Sequence, residues 1–472
     1  MKILKWFSAI VFVVLSLTAC DPTDRVIWSP DGKKCAVISS DGLRICDADG
    51  KLSASLMDME DVEVFRWLPD SKQALIVVEE KTTNWKEISQ LLSASQRARV
   101  MSQSEQLWRL RGTTGWPGQK NDKNESASFL YLKFKYGEKA VKAVLPKEYK
   151  QYVSIFAEPI HSLQLFRFLD DKVVPGSVLL RTVNDIADVR LGPAAKLAAM
   201  TEVDEGGYKL EVVPVSGGSA RTVTERAGKH AEWSRDGRAL YFTQANKTGA
   251  HSRQDQASAV TLMRQEIADY DEKLLARFSP PLNLVELPHQ DATRIRCLAG
   301  GDIIFDAKEL HLPKISEKSQ AKNSNSEPRL FRLSRDFQIL MPVSLSGDPL
   351  GDKLSDFEIN QDGTKVVVPG SKGEVTVVDL TTGKVTALEQ KGIDLKFAPQ
   401  WRSADELCYP ARSVPGGGHD VDVVLQSVTR TEAPRLLSKD WPAASIKFLN
   451  DPKKDSSEKA PAAKSSSGSH HR

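Results

Sequence analysis

The chain has 472 residues, more than a typical single hydrophobic core holds, although repeat-built β folds reach this size as one unit. Its 65 Lys and Arg nearly balance its 62 Asp and Glu, for a formal net charge of +3. This balance gives no indication of nucleic-acid binding. Basic and acidic residues alternate, apart from a basic segment with Arg97, Arg99, Arg109 and Arg111.

The N-terminus has the order of features that marks an exported chain. Lys2 and Lys5 precede a short apolar run over residues 6–15, and small residues then lead to Cys20. Since this run is well short of the ~20 residues that span a bilayer, it predicts a signal peptide over residues 1–19. Two interpretations of Cys20 stay open, a modified residue or an incidental cysteine after an ordinary secretory signal.

The residues Leu17-Thr18-Ala19-Cys20 resemble the lipobox of bacterial lipoproteins. The resemblance implies lipidation of Cys20, with acyl chains such as palmitate. It also implies a cell-membrane anchor on the periplasmic side, with residues 20–24 as a short tether. Several acyl chains together would hold the protein durably. Asp21 at this position is associated with inner-membrane retention in enteric bacteria, so the inner membrane is favoured and the outer membrane stays open.

Two of the four later cysteines, Cys35 and Cys46, lie on either side of a predicted hairpin; the others are Cys297 and Cys408. A turn centred on residues 40–41 would place Cys35 and Cys46 directly opposite each other, as a disulfide requires. A turn on residues 41–42 has the better turn chemistry and shifts them diagonally. We therefore favour packing cysteines, and a disulfide between them remains the alternative.

A short unit recurs along the chain: an aromatic or apolar residue, a turn rich in Pro, Asp and Gly, and an apolar, often β-branched run. Strong copies begin at Trp28, Trp67, Trp233 and Ile359, with turn aspartates Asp31, Asp70, Asp236 and Asp362. The first residue ends a buried strand, the turn reverses the chain, and the run starts the next strand. The aspartates are expected to bond to the turn backbone. Uninterrupted copies lie near the ~40-residue spacing of a four-stranded propeller blade.

This Trp-Ser-Pro-Asp-Gly-Lys unit resembles the PD40 repeat of TolB-like and WD40-like β-propellers. The resemblance implies an all-β fold, a β-propeller of seven or eight four-stranded blades over residues 25–450. Weaker copies near residues 191–193 and 401–405, and degenerate blades near residues 154–168 and 294–305, complete this number. The Gly-His and Trp-Asp signature of true WD40 blades is missing, so TolB-like is the nearer name. An open β-sandwich array is disfavoured because closure removes exposed strand edges.

Two segments break the repeat pattern, at about residues 85–111 and 253–278. Their apolar residues recur at nearly helical spacing, which predicts an amphipathic α-helix inserted into a blade loop in each. Each helix either caps its own blade or presents a docking surface. Residues 112–126 and 313–328 are predicted to be mobile loops, and residues 451–472 a disordered tail.

The sequence carries no strong catalytic or metal motif. There is no GxSxG, so a peptidase of the prolyl oligopeptidase type is excluded. Ser319 and Lys322 match SxxK in a polar segment that would not lower the pKa of the lysine. The histidines are scattered, without HExxH or CxxC; His419, beside Asp420 and Asp422, is the most suggestive, although a solvated loop explains it as well. We therefore predict no catalytic residues, cofactor or metal, and we favour a protein that is not an enzyme.

Two hypotheses from different classes follow. The first is a membrane-anchored periplasmic propeller that acts as a non-catalytic protein–protein interaction module in the cell envelope, with an envelope protein as partner. The resemblance to TolB suggests a role in envelope assembly or integrity. The second is a propeller enzyme or ligand-binding protein with a composite central-channel site for a glycan or peptide. Charged side chains converging in the channel would favour the second hypothesis.

Overall fold

The computed structural model describes most of the chain between residues 25 and 445. The described residues are 25–39, 42–57, 62–111, 125–145, 147–151, 153, 155–169, 172–204, 207–245, 260–267, 280–287, 294–307, 329–343, 357–369, 375–388, 399–411, 422–430, 432–443 and 445. The predicted signal peptide, Cys20, the tether and the predicted tail lie outside them, as do nearly all residues of the two predicted mobile loops. Within the described part, no helix is both long and apolar enough to cross a membrane.

The described strands form antiparallel sheets whose members follow chain order. The first sheet contains β1 Val26–Trp28, β2 Lys34–Ser39 and β3 Gly42–Asp47, and the second contains β4 Val62–Trp67, β5 Gln73–Thr82, β6 Glu158–Leu169 and β7 Lys172–Thr182. The third contains β8 Ile186–Leu191, β9 Leu197–Asp204, β10 Gly207–Pro214, β11 Arg221–Trp233, β12 Ala239–Ala245, β13 Val260–Glu266 and β14 Leu282–Leu287. The last three contain β15 Ile295–Cys297, β16 Ile303–Ala307, β17 Arg329–Leu333 and β18 Leu340–Pro342; β19 Glu358–Ile359, β20 Lys365–Pro369, β21 Val375–Asp379 and β22 Val385–Leu388; and β23 Gln400–Trp401, β24 Glu406–Ala411, β25 Asp422–Ser427 and β26 Arg435–Leu436.

The seven-stranded third sheet consists of two four-stranded meanders that share β11. Residues 221–227 of β11 pair with β10, and residues 227–233 pair with β12. The register shifts between Ala227 and Ala231, where β11 passes from one meander to the next. The molecule is therefore mostly β, built from repeated four-stranded antiparallel units.

The first strands of these units, β1, β4, β8, the end of β11, β15, β19 and β23, are termed the inner strands. Three of their tryptophans donate to the backbone of the preceding inner strand. Trp67 Nε1 donates to the carbonyl of Ile27 at 2.9 Å, and Trp233 Nε1 donates to that of Arg190 at 2.9 Å. Trp401 repeats the contact on the carbonyl of Glu358 at 3.2 Å. This bond explains why the repeat unit begins with an aromatic that carries an N–H.

The loops after the inner strands lie together on one face, termed the turn face. Asp31 Oδ1 accepts from the backbone N–H of Lys33 at 3.1 Å, so the turn aspartates bond to the backbone, as the sequence predicts. Gly32 follows with a φ of +65°, and a Cβ there would lie 3.0 Å from the carbonyl oxygen of Arg402. Glycine is therefore needed both for the turn and for its close approach to the last sheet.

The last sheet packs against the first. Arg402 Nε donates to the carbonyl of Gly32 at 2.9 Å, and Trp441 Nε1 donates to that of Gly50 at 2.9 Å. One hydrophobic cluster spans the two sheets, with Val26, Trp28, Cys35, Val37 and Cys46 from the first and Cys408, Val423, Leu425, Leu437 and Trp441 from the end of the chain. Strands far apart in sequence thus share one buried core.

A helical insertion over residues 85–150 separates β5 from β6. It contains α1 Trp85–Leu91, α2 Ala94–Arg109, α3 Glu125–Tyr136, α4 Glu138–Val144 and α5 Lys147–Lys150. Asn84 caps α1, and Ser93 with Gln96 forms a capping box on α2, so the chain carries its own start signals. The helices bury a core of their own that reaches Ile160 of β6. The structure places α1 and α2 within the predicted segment 85–111 and adds three helices that the sequence analysis did not predict.

Two predictions are wrong. Residues 260–266 of the predicted helix over 253–278 form β13, because neighbouring strands on both sides offer backbone partners. Residues 260–263 are all buried, so they lack the alternation that marks a half-exposed strand. The predicted degenerate blade near residues 154–168 is β6, the third strand of the second sheet, which the helical insertion separates from β5 in sequence.

Candidate functional site

Charged side chains line the inner strands, one strand after the next. Each comes directly before the last residue of its strand, and the set is Arg66, Arg190, Glu232, Arg296 and Glu358. Two residues earlier stand Asp188 on β8, His230 on β11 and Arg294, which directly precedes β15. Because side chains two apart on a strand share a face, these residues form one network.

The first half of the network centres on Asp188, a carboxylate that is 5% exposed. Arg66 Nη2 lies 3.0 Å from Asp188 Oδ1, and Arg190 Nε lies 3.2 Å from Asp188 Oδ2. His230 Nδ1 lies 2.9 Å from the same Oδ2. Although burial alone would raise the pKa of Asp188, Arg190, His230 and Arg66 hold it well below its usual range. Asp188 therefore stays ionised and links three inner strands.

The second half centres on Glu358. Arg296 Nε donates to Glu358 Oε2 at 2.9 Å, and Arg294 Nη1 donates to Glu358 Oε1 at 3.0 Å. Burial opposes ionisation, but both guanidinium groups lower the pKa of Glu358 to about 2. Arg296 Nη1 also lies 3.4 Å from Glu232 Oε2. This half joins β11, β15 and β19.

The histidines near the inner strands have opposite pKa shifts. Burial lowers the pKa of His230 to about 4, despite its bond to Asp188. His161 is also buried, which by itself lowers its pKa, but Asp185 and Glu63 raise that pKa to about 10. His161 Nδ1 lies 2.9 Å from Glu63 Oε2, and Nε2 lies 3.1 Å from Asp185 Oδ1. At neutral pH His230 is therefore neutral, whereas His161 is a cation held between two carboxylates.

The carboxylates and guanidinium groups of the network mostly form ion pairs with each other. Burial raises the pKa of Glu232, although Arg296 and Arg190 oppose the shift. His230 bonds to Asp188, and among the described residues no nucleophilic side chain is hydrogen-bonded to it. In the described part of the chain, no cluster of three or more His, Cys, Asp or Glu is placed to hold a metal ion. The arrangement joins neighbouring strands and can present charge to a ligand.

The turn face carries two adjoining clefts. One of about 450 Å³ lies between the loops after β11 and β15 and is bordered by Arg235, Arg264, Arg335, Tyr241 and Phe337. The other, of about 790 Å³, is bordered by Pro193, Ala194, Leu197, Val215 and Trp233. Asp236 borders both clefts. A basic cleft with aromatic walls thus adjoins a mainly apolar one.

The predicted pair Cys35 and Cys46 lies directly opposite across β2 and β3. The diagonal register favoured from turn chemistry is therefore wrong. The direct register pairs Ile38 with Leu43 in one hydrophobic cluster and Cys35 with Cys46 in another, whereas a turn on residues 41–42 would shift every partner by two residues and leave these pairs diagonal. Both are buried free thiols. Burial raises the pKa of Cys35 well above its usual value, and Cys46 adds to this shift.

The other candidate positions from the sequence, which are Cys20, His419, Ser319 and Lys322, lie outside the described residues. Motifs within single stretches of sequence do not reveal the inner-strand network, because its members lie on five different inner strands. A usable signal existed, since Arg66 and Glu232 each come directly before the tryptophan of a strong repeat, at a position that faces away from the blade core.

The sequence matches no family model. It also matches no curated protein. Among solved structures, TolB from Acinetobacter baumannii is similar at 16% identity and a TM-score of 0.38, over 59% of this chain and 61% of TolB. An oligogalacturonate lyase in complex with manganese is similar at 11% identity and a TM-score of 0.38, over 57% of this chain and 68% of the lyase.

A puromycin-hydrolysing peptidase of Mycobacterium tuberculosis is similar at 12% identity and a TM-score of 0.43, over 83% of this chain and 48% of the peptidase. This chain spans less than two thirds of the length of the Acinetobacter TolB. At these identities the likenesses concern the fold alone. The TolB-like resemblance of the repeat and the lipoprotein assignment stay predictions.

Proposed function

We propose that the inner strands close into a ring of seven blades around a central channel. The four-stranded units and the contact between the first and last sheets support this architecture. The bond from Arg402 to Gly32 joins the two ends of the ring. In the three-stranded first sheet, bridges from Leu43 to Met57 and from Cys46 to Leu52 supply the place of the fourth strand.

We propose that the protein is a lipid-anchored, non-catalytic interaction module on the periplasmic side of the cell membrane, and that it binds an envelope protein at the turn face. The observation that carries the proposal is the pair of adjoining clefts on that face. Arginine, tyrosine and tryptophan beside apolar pockets are typical of protein interfaces. The inner-strand charges, in contrast, are largely neutralised by each other.

The test is chemical crosslinking in membranes, followed by affinity purification, with one substitution in each cleft. Ala194→Glu places a charge at the rim of the apolar cleft, and Arg335→Glu reverses a charge in the basic cleft; both residues are exposed. Loss of the same crosslinked partner from both variants supports the proposal. Lys384→Glu, exposed in the β21–β22 turn, is the matched control and should keep the partner. An unchanged partner list in both cleft variants would contradict docking at this face.

A second candidate is a ligand-binding channel for an acidic glycan or peptide. It is favoured by an excess of positive charge in the network, where Arg66, Arg190, Arg294 and Arg296 face Asp188, Glu232 and Glu358. Calorimetric titration with acidic oligosaccharides and acidic peptides tests it. Arg190→Gln should weaken any such binding by about tenfold, since hydrogen bonds to charged groups contribute about 1.5–3 kcal/mol. Equal binding by this variant would exclude the channel as the site.

A further inference from the structure

The helical insertion has a charge unlike that of the rest of the chain. Residues 85–150 contain 13 Lys and Arg but only six Asp and Glu, although the whole chain has a net charge of +3. Two internal ion pairs, Lys135 with Glu105 and Lys133 with Glu138, join two of these cations to two of these acids. Arg109, Arg111 and Lys139 remain exposed. The insertion therefore has a net positive charge, although the whole chain is nearly neutral.

Aromatic side chains interleave with these cations where α2 and α3 end. The rings of Trp108 and Tyr136 stack with centroids 4.2 Å apart and planes 10° from parallel. The Arg111 guanidinium lies 4.4 Å from the Trp108 ring, and Lys135 Nζ lies 5.2 Å from the Tyr136 ring. Leu110, beside them, is 47% exposed. We term Trp108, Arg109, Leu110, Arg111, Lys135 and Tyr136 the basic edge.

This combination has the chemistry of a membrane–water interface. Tryptophan and tyrosine place their rings at the level of lipid headgroups, where one end of the side chain is apolar and the other polar. Lysine and arginine lay their stems along apolar surface and keep the charge among the phosphates. An anionic leaflet attracts basic segments of this kind within a Debye length of its surface.

The insertion and the N-terminal strand lie at the same face. The turns after β1 and β4 share the turn face, where the N–H of Asp31 donates to Ser71 Oγ at 3.2 Å. The opposite face therefore holds the start of β1, which Arg25 precedes. It also holds the end of β5 and the start of β6, where Thr82 pairs with Glu158 on either side of the insertion. A membrane that held the chain by residues before Arg25 would lie on the side of the insertion.

We propose that the basic edge binds the anionic lipid surface of the membrane. The bilayer is the occupant for three reasons. The basic edge carries net positive charge, it contains aromatic side chains of the kind found among lipid headgroups, and the insertion lies on the face where β1 starts. The turn face then points away from the bilayer. The placement of the bilayer rests on the proposed lipid anchor before Arg25, whereas this binding does not depend on the proposed docking of an envelope protein, which uses the opposite face.

The test is co-sedimentation with lipid vesicles of a chain that starts at Asp21, since every described element begins at Val26 or later. The variant Arg109→Gln/Arg111→Gln/Lys139→Gln removes three exposed charges from the insertion. Its matched control, Lys33→Gln/Lys72→Gln/Lys384→Gln, removes three exposed charges from the turn face. Vesicles contain phosphatidylcholine, with or without phosphatidylglycerol, and purified protein is used alone.

The unsubstituted chain should bind vesicles that contain phosphatidylglycerol, and this binding should weaken as salt is added. The insertion variant should bind at least about tenfold more weakly, because each basic residue near an anionic surface strengthens binding about fivefold. The control should bind as the unsubstituted chain does. Equal binding by the insertion variant, an equal loss in the control, or equal binding to pure phosphatidylcholine would each overturn the proposal. If the cleft variants kept an unchanged partner list while vesicle binding behaved as expected, only the proposed docking of an envelope protein would be contradicted.

Discussion

The inner-strand network and the helical insertion use the same kinds of residue for different purposes. On the inner strands, arginines and carboxylates are mostly buried and pair with each other, as Arg66 does with Asp188 at 3.0 Å. On the insertion, cations outnumber carboxylates and several of them are exposed. The charges of the network mostly satisfy each other within the fold, whereas Arg109, Arg111 and Lys139 of the insertion are exposed to solvent.

The difference teaches that exposure and pairing, not residue type, decide what a charge does here. A buried ion pair is costly to break, because the remaining partner stays in a region of low polarity. An exposed charge contributes little to stability but acts at a distance on a charged surface. Substitutions in the network should therefore lower the free energy of unfolding, whereas substitutions of exposed charges in the insertion should leave it nearly unchanged.

The largest effect is expected at Glu358, the carboxylate that Arg294 and Arg296 share. Glu358→Gln keeps the shape but removes the charge, so both buried guanidinium groups lose their common anion. We expect the free energy of unfolding to fall by about 3–5 kcal/mol, as for other broken buried pairs. Denaturant unfolding measures it.

The control for this prediction is Glu266→Gln. Glu266 pairs with Arg264, and its side chain is 47% exposed. Its loss should change the free energy of unfolding by less than about 1 kcal/mol. If Glu358→Gln were no more destabilising than Glu266→Gln, the inner-strand network would not hold the strands together.

The next effect concerns His230 and pH. Its pKa is about 4 in the folded protein, against an ordinary value of 6.5, because burial disfavours the imidazolium. The unfolded chain therefore takes up the proton first, so the stabilisation is complete above pH 6.5 and is lost as the pH falls towards 4. His230→Asn should remove about 3 kcal/mol of this acid-side loss, measured by denaturant unfolding at pH 6.5 and pH 4.

The stability that His161 contributes should depend on pH in the opposite direction to that of His230. Its pKa is raised to about 10 by Asp185 and Glu63, against the burial that would lower it. The stabilisation from His161 is therefore complete below pH 6.5 and is lost as the pH rises towards 10. His161→Asn should flatten the alkaline limb and leave the acid limb unchanged. A flattened acid limb in this variant would show that the two histidines do not titrate separately.

The sequence predicts the repeated part of the fold well, because each turn is determined locally. Asp31 and Gly32 occupy a tight reversal whose chemistry few other residues satisfy. Residues 260–266 could not be assigned in the same way, since their helical spacing is overridden by pairing with β12 and β14. For the same reason β6, which begins 76 residues after β5 ends, was not recognised as the third strand of its sheet.

The candidate sites depend on contacts that no single stretch of sequence contains. Arg66 and Asp188 are 122 positions apart, and Arg402 and Gly32 are 370 apart. What the sequence does contain is the charged residue before the repeat tryptophan, and that signal has meaning only once the inner strands are set side by side. The basic edge is clearer in sequence, since Arg109 and Arg111 already stand out as a basic segment.

The smallest effect on stability is expected from the insertion charges. The variant Arg109→Gln/Arg111→Gln/Lys139→Gln should change the free energy of unfolding by less than about 1 kcal/mol, because exposed charges interact weakly through water. Thermal or denaturant unfolding of the three variants, Glu358→Gln, His230→Asn and this one, compares both regions on one scale. A loss as large as that of Glu358→Gln would mean that these cations support the fold of the insertion. A small loss, set beside weaker vesicle binding, would separate charges that hold the protein together from charges that bind its surroundings.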